Sequence, residues 1–243
     1  MRIFTLLGYL GSAACAAAGP LRFSSGASQV ALVELYTSEG CSSCPPADKW
    51  LASQADDAGL WREFVPVEFH VNYWDSLGWK DRLSTRAFTA REYAYSSAWG
   101  SNSVYTPCFV RNGAEWRPLS GESPPPGGPA GTLSVELDGG ACRVLFTPTP
   151  GPGAYDVHVA LLGGGLSSKV TAGENDGRTL THEFVVIAMA DGALAPAAAG
   201  AALTAEIALP KAIVPDAKRK ALAAWVTRRG DLAPLQATGG WLQ

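Results

Sequence analysis

A chain of 243 residues that is 47% hydrophobic and 17% charged can bury a sizeable core and is too apolar to remain disordered. Its 19 basic and 22 acidic residues leave a net charge of -3, and without a basic block no nucleic-acid partner is expected. Past residue 18 no uncharged apolar run approaches the roughly 20 residues of a membrane-spanning helix, so the mature form is expected to carry no transmembrane anchor.

Arg2 is followed by an apolar run that ends in Ala16-Ala17-Ala18. A charged start, an apolar middle and a small-residue cleavage site make a secretory signal peptide, so residues 1–18 are expected to be removed and the protein to be periplasmic or secreted. Removal takes Cys15 away and leaves Cys41, Cys44, Cys108 and Cys142 in a compartment where disulfides persist.

Residues 30–36 then read as a short buried strand. Residues 46–58 place Ala47, Trp50, Leu51, Ala55 and Ala58 on one helical face, and residues 64–70 return to strand chemistry. Ser84 can cap a helix running to Trp99 with Phe88, Tyr95 and Trp99 as its apolar stripe, and residues 104–110 read as another strand. The proline- and glycine-rich residues 122–129 can continue neither a helix nor a central strand.

After that segment the hydrophobic period becomes two, at Leu133, Val135 and Leu137, at Tyr155, Val157, Val159 and Leu161, and at Leu203, Ala205, Ile207 and Leu209. Further strands are expected within 142–147, 179–189 and 222–228, with 193–202 as a loop. The domains expected are an α/β domain over residues 28–121, a linker over 122–130 and an all-β sandwich or open barrel over 131–243.

Cys41-Ser42-Ser43-Cys44 lies between the first strand and the first helix. A helix N-terminus favours a thiolate, and the first thiol of such a motif is the more exposed, so Cys41 is the candidate nucleophile. Cys44 can then attack the mixed disulfide and release the partner. The bland alternative is a permanent structural disulfide. No other Cys-x-x-Cys and no His pair at ligand spacing accompanies the motif, so no metal and no cofactor are expected. Copper(I) held by the two thiolates is a weaker idea, with only two methionines in the chain to support it.

The order strand, Cys-x-x-Cys, helix, strand, helix, then Tyr105-Thr106-Pro107 before a strand resembles the thioredoxin fold, in which a cis-proline faces the cysteine pair. Residues 33–48, 69–75, 77–81, 104–107 and 173–180 more closely resemble an exported bacterial thioredoxin-like family catalogued as domain of unknown function 1223. The resemblance implies an α/β thioredoxin-like domain followed by an all-β domain, thiol-disulfide chemistry with a protein thiol or disulfide partner, and Pro107 shaping the partner groove together with Thr106. It also places Glu34 where a buried acid beneath the disulfide can accept the proton of Cys44.

His70 and the aromatic segment around Trp74 are candidates to wall a partner-binding cleft, although a lone strand histidine and a tryptophan cluster more often belong to a core. His158 and His182 carry less signal, and residues 174–178 read as a plain hairpin turn. The function expected is an exported thiol-disulfide oxidoreductase, with a redox-inactive binding module holding a structural disulfide as the alternative. Cys108 and Cys142 are either a staple between the domains or two separate buried thiols, the second being favoured.

Overall fold

The computed structural model describes residues 19–118, 127–149, 153–197 and 202–242. The expected signal peptide, Cys15 and residues 122–126 of the expected linker lie outside them. In chain order the elements are β1 (Leu21–Ser24), β2 (Ala31–Thr37), α1 (Pro45–Ser53), β3 (Phe64–His70), α2 (Arg86–Ala98), β4 (Cys108–Arg111) and β5 (Ala114–Trp116). There follow β6 (Gly131–Asp138), β7 (Ala141–Pro148), β8 (Tyr155–Gly164), β9 (Leu166–Lys169), β10 (Thr179–His182) and β11 (Val185–Ala193). The last four are β12 (Ala195–Pro196), β13 (Leu203–Ala208), β14 (Arg219–Arg228) and β15 (Pro234–Leu242).

Local chemistry explains the two helices. Helix α1 opens on Pro45 and Pro46, whose missing donors cost nothing in a first turn. Thr85, rather than the expected Ser84, caps α2 by accepting the amide of Phe88 at 3.1 Å.

Eight strands form one mixed sheet in the order β15-β14-β8-β11-β3-β2-β4-β5, and five form a second in the order β1-β6-β7-β13-β12. Strand β3 pairs in parallel with both β2 and β11, while β8, β14 and β15 run antiparallel to their neighbours. The pleat of β8 and β14 sends alternate side chains into different cores. Leu222, Ala224, Val157 and Val159 meet Leu133, Val135, Val144 and Phe146 of the five-stranded sheet. Ala160, Ala221, Ala223 and Trp225 belong instead to the core that holds Tyr36, Phe69, Phe88 and Tyr95 under α2.

This architecture overturns the expected α/β thioredoxin-like domain followed by an all-β domain. Among the described residues two α-helices stand against fifteen strands, and the larger sheet draws β2 to β5 from before the proline-rich segment and β8, β11, β14 and β15 from after it. Prolines and glycines interrupt local periodicity, but they do not prevent the strands on either side from pairing. The edge that β3 would otherwise expose is used at once: the amide of Glu68 donates to the carbonyl of Phe184 at 2.9 Å.

Cys108 and Cys142 are free and buried in different cores, the first under α2 and the second between the sheets. No helix among the described residues is long and apolar enough to cross a membrane.

Candidate functional site

Strand β2 ends at Thr37, α1 begins at Pro45, and the turn between them carries a disulfide from Cys41 to Cys44 with a Cα–Cα separation of 5.5 Å. Ser42 and Ser43 face solvent, whereas both cysteines are 0% exposed. The sequence expectation of an exposed Cys41 is therefore not met. What covers it comes from three distant segments.

The turn between β9 and β10 supplies the first cover. Asn175, itself 0% exposed, donates its side-chain amide to the carbonyls of Glu39 and Cys41, each at 2.9 Å. Its neighbour Glu174 lies at the surface and accepts both the amide of Ser42 at 3.0 Å and the Ser42 hydroxyl at 2.7 Å. These bonds hold the Glu174 carboxyl below its ordinary range. Gly173 and Gly177 bound the turn with positive φ values of 76° and 80°, which a side chain would strain. The expected plain hairpin turn is thus a clamp on the cysteine motif.

Trp74 and the segment before β4 supply the other two. The Thr106–Pro107 bond is cis, and the carbonyl oxygen of Thr106 lies 3.8 Å from Sγ of Cys41. The Trp74 indole donates to the Thr106 hydroxyl at 2.8 Å, and Trp74 passes so close to Gly40 that an added Cβ would stand 3.0 Å from its own. Cys41, Thr106, Pro107 and Trp74 therefore gather at one place. Tyr105 beside them is 46% exposed.

His70 does not join that surface. It is 0% exposed and sits within a buried ionisable network below α1, so it is unavailable to a partner. Its Nδ1 lies 2.7 Å from Asp81 and its Nε2 lies 2.8 Å from Oε1 of Glu68, an oxygen also 2.9 Å from Nδ1 of His182. Nε2 of His182 faces Glu39 at 3.6 Å, and its Nδ1 lies 4.0 Å from Asp48, which accepts the Thr37 hydroxyl at 2.6 Å. Burial alone would lower both imidazoles, but the facing carboxylates outweigh it, lifting His70 well above its usual value and His182 to about 10. Burial and the charge of Glu68 push Asp48 up to about 7.

Glu34 is buried on the other face of the sheet. Successive strand residues alternate sides, so Thr37 reaches Asp48 of α1 whereas Glu34 faces α2. There it accepts Arg91 at 2.8 and 3.1 Å, the Tyr36 hydroxyl at 2.8 Å and the Tyr95 hydroxyl at 2.6 Å. The sequence-based proton-acceptor role for Glu34 beneath the cysteines is therefore not supported by its position. The carboxyl that α1 itself carries is Asp48, one helical turn beyond Cys44.

The family model described as Protein of unknown function (DUF1223) matches residues 32–227, which span the cysteine motif, the Trp74 segment, Pro107 and the 173–177 turn. None of the curated proteins matches the chain. Among solved structures, protein AGR_C_4864 from Agrobacterium tumefaciens is 25% identical, with a TM-score of 0.61 over 87% of this chain and 94% of its own. HBP35 of Porphyromonas gingivalis is 16% identical, with a TM-score of 0.61 over 90% of this chain and 76% of its own, a likeness of fold alone.

Proposed function

The chain belongs to the DUF1223 family, and we propose that within it this protein is an exported thiol-disulfide oxidoreductase whose Cys41–Cys44 pair reacts with a protein thiol or disulfide once the 173–177 turn lifts away. The observation that carries this reading is the placement of the pair at the start of α1, with exposed Ser42 and Ser43 between the two cysteines and the Thr106 carbonyl 3.8 Å from Cys41. In the dithiol form, the Cys41 thiolate attacks a partner disulfide and expels one partner thiolate. The Cys44 thiolate then attacks Sγ of Cys41, expels the second partner thiolate and closes the pair. The partner gains two electrons and the pair loses two. In the opposite direction the same steps run backwards.

The zero exposure of both cysteines favours a second reading, a binding module in which the disulfide is permanent and structural. One titration separates the two. Folded protein is equilibrated against dithiothreitol couples, and Cys44→Ala is offered a disulfide-bonded peptide. Reversible two-electron reduction with a mixed disulfide at Cys41 supports the oxidoreductase. A pair that stays closed in millimolar dithiothreitol until the protein unfolds establishes the structural disulfide.

A further inference from the structure

We propose that Glu68, His70, His182 and Asp48 form a buried site for one divalent transition-metal cation, Zn2+ by its donor set. One ligand atom from each of Glu68, His70 and His182 lies within 4.8 Å of the others, and all three residues are buried. The Nε2 of His70 and Nδ1 of His182 converge on one carboxylate oxygen at 2.8 and 2.9 Å. Nitrogen and oxygen ligands about 2.0 to 2.2 Å from a shared tetrahedral cation stand about 3.3 to 3.6 Å apart, so an opening of about half an ångström converts this contact into coordination. Asp48, 4.0 Å from the same nitrogen of His182, brings a fourth donor.

Two further features point to a cation. Glu68 is 0% exposed, yet its Oε2 has no hydrogen-bond partner among the described residues, an expensive state for a carboxylate oxygen unless something else is to meet it. Of the imidazole nitrogens that face away from the cluster, Nδ1 of His70 is hydrogen-bonded to Asp81 at 2.7 Å, whereas Nε2 of His182 faces Glu39 at 3.6 Å, beyond hydrogen-bond reach. A carboxylate–histidine pair such as Asp81–His70 fixes the tautomer and orientation of a metal-binding imidazole. Two imidazole nitrogens and two carboxylate oxygens are donor types that tetrahedral Zn2+ accepts, and a cation there would tie α1, β3 and β10 together behind the cysteine motif.

The test uses the mature protein with its Cys41–Cys44 disulfide closed and no reductant present, so that thiolates contribute nothing and the result is independent of the redox reading. After chelator treatment the protein is dialysed against Zn2+ and, separately, against Co2+ as a visible probe. One equivalent is expected to survive gel filtration, with the intense ligand-field absorption of tetrahedral Co2+. His158→Ala, at the partly exposed histidine beside Asp191, should keep it, and so should Cys41→Ser/Cys44→Ser. Glu68→Gln should lose it, and Asp81→Asn should bind about 10- to 100-fold more weakly. Wild-type protein that retains no cation, or binding that disappears with His158→Ala, overturns the proposal even if Glu68→Gln does not fold.

Discussion

The side-chain amide of Asn175 and the carbonyl of Cys41 meet at 2.9 Å across 134 residues of sequence. The same amide satisfies the carbonyl of Glu39, so one buried side chain serves two backbone acceptors around the cysteine turn. Asn175→Ala should strand both and destabilise the fold by about 1 to 3 kcal/mol, with faster reduction of the disulfide by dithiothreitol. Urea unfolding and thiol release measured together test this. An unchanged urea midpoint would remove the clamp from the account.

Glu174 makes its bonds to Ser42 at the surface, where water competes for them. Glu174→Ala should therefore leave the urea midpoint where it is while accelerating reduction of the pair. Equal reduction rates in wild type and variant would show that lifting of the turn is not what limits access.

Arg91 and Glu34 form a buried pair at 2.8 Å, with the guanidinium also lying over the rings of Phe69, Tyr95 and Trp225. Arg91→Met leaves a buried carboxylate without its cation and should cost about 3 to 5 kcal/mol. Adding Glu34→Gln should recover part of that loss. A double variant no more stable than Arg91→Met alone, in urea melts at neutral pH, contradicts the pairing energy.

Glu92 of α2 is 3% exposed, and burial raises its carboxyl from 4.5 to about 7. Between those values the folded state holds a proton that the unfolded chain releases, so this residue makes stability fall as pH rises from about 4.5 to about 7 and adds no further slope above. Glu92→Gln should match wild type near pH 4 and exceed it at pH 8 by up to about 3 kcal/mol. Parallel stability curves for the two proteins over that range would show that Glu92 titrates normally.

Strand β3 occupies the residues its pattern predicts and α2 begins and ends within two residues of expectation, because burial on one face writes a local period into the chain, whereas α1 stops at Ser53, five residues before the expected end. Strand β15 was not legible. Its Gly239 and Gly240 break the alternation, yet they are required, since an added Cβ would overlap the Leu222 carbonyl and the ring of Phe23. The joining of both halves into one sheet was hidden for a different reason: pairing between β3 and β11 is set by edges that meet only after folding. The cysteine motif could be read because its residues are adjacent. Asn175 and His182 could not, because their partners Cys41 and Glu68 lie 134 and 114 residues away, and an isolated Asn or His carries no spacing to interpret.

The clamp also gives the order of synthesis a chemical meaning. Cys41 and Cys44 emerge long before Asn175 and before β11, β14 and β15 can complete the sheet behind them. Until then the cysteine turn lacks the buried amide of Asn175 that satisfies the carbonyls of Glu39 and Cys41. Only the later residues bring the Asn175 and Glu174 bonds to the turn, so the cover over the cysteines is a property of the completed chain and not of the segment that carries them.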